Sequence, residues 1–182
     1  KKVEMAVLNK DDESYKYFKE KTNPKTEVVS YSQKGPARFK IIKSDLTPTG
    51  TKFIVQSGRK KSNFQTNLIG KYNLSNILAA IAVTRKLGVS WDKIKKAVGS
   101  FPGVTGRMDV VENDQNLNII IDFAHTPNAL ENALKTLNQV MKKGRIIAVL
   151  GCAGDRDFKK RPEMGQIAVE YADLPIFTAE DP

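Results

Sequence analysis

The chain has 182 residues, 40% hydrophobic and 27% charged, and a formal net charge of +10 at pH 7. That length and composition fit a globular protein of one large domain or two small ones. No apolar run approaches the roughly 20 residues needed to cross a bilayer, and the amino end carries no signal-peptide pattern, so no membrane partner is expected.

The single Cys152 has no partner for a disulfide or a thiolate metal site, which points to a reducing cytoplasm and to a small buried role at a strand end. Excess positive charge favours anionic partners, and nucleotides, acidic precursors and nucleic acid all satisfy it. With Lys1 in first place and a strand opening almost at once, the chain reads as an internal fragment.

Residues 3–8 form an apolar run that predicts a strand. It ends in the polar turn Asn9-Lys10-Asp11-Asp12, suited to capping a helix around Tyr15 and Phe18. Residues 27–32 predict a second strand. Phe39 and Ile41 then alternate with Lys40 and Lys43 before the turn Thr47-Pro48-Thr49-Gly50, and residues 51–57 alternate again. The pattern is a β-hairpin with one wet face, followed by a third strand at 63–69, with a basic turn at 59–61 between them.

Residues 70–88 carry the strongest helical signal: Leu74, Ile77, Leu78, Ile81 and Leu87 recur at helical spacing, and Gly88 suits the end of the helix. Asn73 and Asn76 lie about one turn apart near its start. Either can cap the helix, and both can face a ligand, since amides donate and accept and so suit a purine edge. Ser90 caps a further helix over 91–98. Residues 101–107, rich in turn formers and without periodicity, read as an inter-domain linker. Arg107, at its end, is placed to meet a phosphate through paired hydrogen bonds.

Beyond the linker the order is strand, helix, strand, helix, strand. Residues 118–121 predict a buried strand that delivers Asp122 and, after Phe123 and Ala124, the chain's one histidine, His125. Thr126 as N-cap, Pro127 at the first helical position and Gly144 past the end frame the next helix. Residues 146–150 are an unbroken β-favouring run, read as a strand buried on both faces of a parallel sheet. Gly151 and Gly154 bracket a loop bearing Asp155, Arg156 and Asp157, and Pro162 sits in the first turn of the last helix. Ligands of open α/β sheets bind at the carboxyl ends of strands. Asp122 with His125, and Asp155 with Arg156, occupy two such ends and suggest one shared crevice. A carboxylate there can accept from a ribose diol, and a helix amino end favours anions.

The stretches Asn9-Lys10-Asp11-Asp12, 70–76, Gly106-Arg107-Met108, Asp122-Phe123-Ala124-His125-Thr126-Pro127, 151–164 and 178–182, in that order, together resemble the Mur ligase family. These are ATP-dependent amide-forming enzymes of peptidoglycan precursor synthesis. The likeness is nearest to the branch that adds the third residue of the stem peptide. It implies the later part of a central ATPase domain over 1–104, a parallel sheet with a small antiparallel element, followed by a Rossmann-like parallel-sheet domain over 105–182. It also implies ATP and Mg2+, a UDP-muramoyl dipeptide and a free amino acid as substrates, and a monomeric, cytoplasmic enzyme. By resemblance, Asn73 and Asn76 lie near the adenine, Arg107 meets the nucleotide phosphates, and Asp122 with His125 lies at the ribose and adjoining nucleotide. Arg156 meets the carboxylate of the incoming amino acid, and Asp181 and Pro182 line that pocket. The Gly-rich phosphate loop, the magnesium ligands and a modified lysine are expected ahead of Asn9, so this chain alone is not expected to turn over.

Two positions depart from the family pattern. Phe123 replaces a tyrosine, and Glu180-Asp181-Pro182 stands where the family reads Asp-Asn-Pro-Arg. The second leaves open a ligase acting on another acceptor, as folylpolyglutamate synthetases do. Two readings from other classes are a non-catalytic basic module for nucleic acid, and a hydrolase with Asp155 and Asp157 as metal ligands. Against the first, the 30 Lys and Arg are scattered, with no basic face interleaved with aromatics. Against the second, no further acid or histidine lies nearby in sequence.

Overall fold

A computed structural model describes residues 3–115, 117–141, 143–152 and 157–179. Contacts divide the chain into two compact units, Lys1–Pro102 and Gly103–Pro182. Among the described residues no helix is long and apolar enough to cross a membrane.

The amino-terminal unit holds β1 (Met5–Asn9), α1 (Tyr15–Lys21), β2 (Glu27–Ser32), β3 (Phe39–Thr47), β4 (Gly50–Ser57), β5 (Lys60–Thr66), α2 (Lys71–Lys86) and α3 (Trp91–Ser100). Its strands form one five-stranded sheet in the order β1-β2-β3-β4-β5. The first two pairings are parallel and the last two antiparallel. In β4 the alternation works as expected: Thr51, Phe53 and Val55 are buried while Lys52 faces water. The third strand of the meander begins earlier than its apolar residues suggest. Gly58 and Arg59 make the turn, with φ +59° at Gly58, and Lys60 and Lys61 already pair with Ser57 and Gln56.

Helix α2 covers this sheet with Leu74, Ile77, Leu78 and Ile81, which join Val29, Phe39, Phe53, Val55 and Phe64 in one core. Leu87, expected on the same stripe, is 71% exposed. It is the C-cap residue, where the chain leaves helical geometry, and Gly88 follows at φ +87°. Ser90 caps α3 by accepting from the Lys93 N–H at 3.4 Å.

The turn after β1 does not cap α1 as expected, for Ser14 holds the N-cap position without a side-chain bond. Asp11 instead reaches across to the end of β2, accepting from the Ser32 hydroxyl at 2.5 Å and the Gln33 N–H at 2.6 Å. Gln33 in turn donates to the Lys71 carbonyl at 2.8 Å. One carboxylate thereby ties two strand ends to the start of α2.

The carboxy-terminal unit holds β6 (Asp109–Val111), β7 (Ile119–Ile121), α4 (Pro127–Val140), β8 (Ile147–Leu150), α5 (Lys160–Tyr171) and β9 (Leu174–Phe177). β8 and β9 pair in parallel. β7 instead pairs antiparallel with β6, a strand the sequence pattern did not reveal. Thr126 caps α4 by accepting from the Ala129 N–H at 3.3 Å, and Pro162 sits inside the first turn of α5.

Neither apolar run is buried as its composition suggested. Ile119 and Ile121 are exposed, and so are Ile147 and Val149 on β8, at 53% and 66%. The reason is one-sided cover: Leu130 and Leu134 of α4 and Met164 and Ala168 of α5 pack with Ala148 and Leu150 on the same side of β8. An unbroken apolar run reports two apolar faces, and the described residues cover one of them.

Candidate functional site

In the amino-terminal unit, the start of α2 separates the two asparagines. Asn73 is buried, and its amide donates back to the Ile69 carbonyl at 2.8 Å. Gly70, at φ +97°, is the N-cap residue, so neither asparagine caps the helix in the usual sense. Asn76, one turn on, is exposed.

In the carboxy-terminal unit the ends of β7 and β8 open on one cleft of ≈ 450 Å³, whose lining includes Asp122, Phe123, His125, Leu150, Gly151 and Thr178. Asp122 and His125 are therefore brought together. The third group expected there, Arg156, lies outside the described residues, as do Asp155, Asp181 and Pro182. A smaller cleft of ≈ 290 Å³ shares Leu150, Gly151 and Thr178 with the first and adds Cys152, Arg161 and Met164. Cys152 is half-buried with its sulfur 3.8 Å from that of Met164, in keeping with a packing role.

Backbone hydrogen bonds hold the rim of the larger cleft. The Met108 N–H donates to Asp122 Oδ2 at 2.8 Å, and the Phe123 N–H donates to the Gly106 carbonyl at 2.8 Å. Asp109 accepts from the Gly106 N–H at 3.1 Å. Together these fold residues 106–109 into a tight turn with φ +70° at Gly106 and +50° at Met108. A buried, non-glycine residue in left-handed geometry costs on the order of 1–2 kcal/mol, and it persists because the surrounding bonds over-determine it.

Arg107 leaves this turn with its guanidinium carbon 4.9 Å from the centre of the Phe123 ring. His125 lies on that ring too, with centroids 4.8 Å apart and planes at 57°. The imidazole Nδ1 is 3.0 Å from the Phe123 carbonyl. A carbonyl can only accept, so Nδ1 is the donor of this bond. Lys160, at the first position of α5, donates to the His125 carbonyl at 2.9 Å.

Arg161, on the smaller cleft, and Lys160, on the histidine loop, were not singled out from sequence. The run Lys159-Lys160-Arg161-Pro162 was the available signal, but basic residues at a helix start are usually solvated. The larger cleft is lined by a carboxylate and an imidazole, with the Arg107 guanidinium beside it on the Phe123 ring. No group of three or more His, Cys, Asp or Glu among the described residues is arranged to hold a metal ion.

Similarity to known proteins extends along nearly the whole chain. Residues 1–84 match the Mur ligase middle domain and residues 106–182 the Mur ligase glutamate ligase domain. The UDP-N-acetylmuramoyl-L-alanyl-D-glutamate–2,6-diaminopimelate ligase of Halalkalibacterium halodurans is 40% identical over 98% of this chain and 36% of its own length. The chain thus spans little more than a third of that relative. A solved structure of a ligase of the same name superposes with a TM-score of 0.69 at 32% identity, over 98% of this chain and 37% of that one. The MurF ligase of Thermotoga maritima, solved with ADP, shares the fold with a TM-score of 0.78 at 18% identity, over 100% of this chain and 42% of that one. The chain belongs to the Mur ligase family, whose middle and glutamate ligase domains it carries in part.

Proposed function

We propose that this chain supplies one wall of the active site of an ATP-dependent amide ligase that adds an amino acid to UDP-N-acetylmuramoyl-L-Ala-D-Glu. The observation that carries the reading is the larger cleft, where Asp122 and His125 follow a strand end and the Phe123 ring between them carries the Arg107 guanidinium. The names of the relatives support the substrate class, and the structural relative solved with ADP supports the nucleotide.

In this reading residues 1–104 belong to the ATPase domain and 105–182 to the carboxy-terminal domain, a division supported by the break in contacts after Pro102. Arg107 neutralises phosphate charge, Asp122 and His125 meet the ribose and adjoining nucleotide, and Asn73 and Asn76 stand near the adenine. Arg156, Asp181 and Pro182 meet the amino acid. The peptide carboxylate is phosphorylated by ATP, the amine attacks the acyl phosphate, and phosphate departs from the tetrahedral intermediate. This chemistry asks for positioning and charge neutralisation above all. When bound, magnesium would add Lewis-acid neutralisation of phosphate oxygens. The roles assigned to this chain rest on its own charged and dipolar groups.

The ligation reading is tested by phosphate release from a full-length ligase bearing these residues. Release should require both the UDP-muramoyl dipeptide and an amino acid. Release with either substrate alone, or with neither, would remove it. In the same enzyme Arg156→Lys should raise the apparent KM for the amino acid by about tenfold or more, because lysine keeps the charge and loses the planar fork. An effect on ATP instead would move Arg156 to the nucleotide.

A further inference from the structure

Phe123 is a large aromatic side chain, 59% exposed, at a position where burial cannot be its purpose. Its ring carries a guanidinium at 4.9 Å and an imidazole at 4.8 Å. Its N–H and carbonyl are both engaged, the first by Gly106 and the second by His125. The neighbouring Asp122 secures the same turn through Met108. Among the described residues the guanidinium and imidazole contacts both use the carbon ring, so a para hydroxyl is not needed for the arrangement.

We propose that Phe123 is a positioning residue, the aromatic platform that holds the Arg107 guanidinium beside the cleft its own ring lines, while His125 is held by the Phe123 backbone carbonyl. The proposal rests on the reading above, in which Arg107 meets nucleotide phosphates. A long arginine on an exposed turn has many rotamers, and ordering it for a phosphate costs side-chain entropy. A cation held over a π face has already lost much of that freedom. The platform thus acts on phosphate binding through Arg107 and leaves recognition of the nucleoside untouched.

The test compares ADP with adenosine on the 182-residue chain, by calorimetry or by NMR at the His125 ring. Phe123→Leu should weaken ADP by about threefold to fivefold, leave adenosine unchanged, and abolish the ring-current shift of the His125 protons. Phe123→Tyr, which keeps the ring, should restore ADP affinity and the shift. Combined with Arg107→Ala, Phe123→Leu should add no further loss, since both act through one guanidinium. Because the ring is mostly exposed, Phe123→Leu should keep the fold, and Phe123→Met provides a second ring-free variant. If Arg107→Ala weakens ADP while neither ring-free variant does, the platform role is wrong and the nucleotide reading stands. Equal losses for ADP and adenosine would also overturn it, by placing the ring against the base. If Arg107→Ala leaves ADP binding intact, the underlying nucleotide reading fails first.

Discussion

The two units solve the same packing problem to different degrees. In the amino-terminal unit, one sheet face meets α2 and α3, and Leu78, Ile81 and Val55 have no measurable exposure. In the carboxy-terminal unit, α4 and α5 cover one side of β8 and β9 while Ile147, Val149, Leu174 and Ile176 face outward. The smaller cluster, Leu130, Leu134, Met164 and Ala168, sits directly beneath the strand ends that carry the cleft. Among the described residues the first unit is thus the more completely buried, while the cleft and its strained turn lie in the second.

The largest test of that contrast is Leu78→Ala. Deleting a fully buried leucine should cost about 3 kcal/mol, transfer and cavity terms together. Trp91 is the one tryptophan and packs on Phe64 and Arg85 in the same unit, so its fluorescence in urea reports the loss. The His125 resonances should keep their wild-type transition. A parallel collapse of both signals would mean that the two units unfold as one.

Much of this was legible in the sequence where local chemistry decides. Ser90 and Thr126 cap the helices they precede, and the stripe on α2 is buried up to its last turn. Legibility failed where a residue's surroundings come from elsewhere in the chain. The apolar run of β8 does not announce that only one face is covered, and Asp11 looks like a helix cap until β2 supplies Ser32 and Gln33. Strand β6 is only three residues long, too short for alternation to show. At the site, Asp122 and His125 were readable from their place after a strand. The use of Asp122 to hold Met108 was not, because it depends on a left-handed turn 14 residues away.

Thr126→Ala should come next in size, at about 1 kcal/mol, through loss of the side-chain acceptor for the Ala129 N–H. The loss should appear in the His125 transition and leave Trp91 unchanged. Ser90→Ala should show the converse pattern at similar size, since its cap lies in the other unit. Together the pair asks whether the units are energetically as separate as their contacts are.

Val149→Ser should do less, within about 0.5 kcal/mol, since a side chain 66% exposed loses little contact when shortened and made polar. A cost near that of Leu78→Ala would mean that this face is packed in solution, and the contrast between the units would disappear.

The smallest effect concerns Asp12, on the surface of the better packed unit. The Ser14 hydroxyl, and after it the Ser14 backbone N–H, donate to its carboxylate and hold its pKa below the ordinary 3.8. A depressed pKa means that the folded state binds the proton less readily than the unfolded chain. The resulting stabilisation is complete above the ordinary value and disappears as pH falls through the lower, folded one. The carboxylate is fully exposed, so solvent screens the contact and its contribution is small. Asp12→Asn keeps an acceptor oxygen and removes the charge. The variant should melt slightly below wild type at pH 7, followed by Trp91 fluorescence, and the two curves should converge as the pH is taken below 3.8. A gap that persists unchanged into acid would show that shape or hydrogen-bond geometry, and not the carboxylate charge, holds the turn ahead of α1.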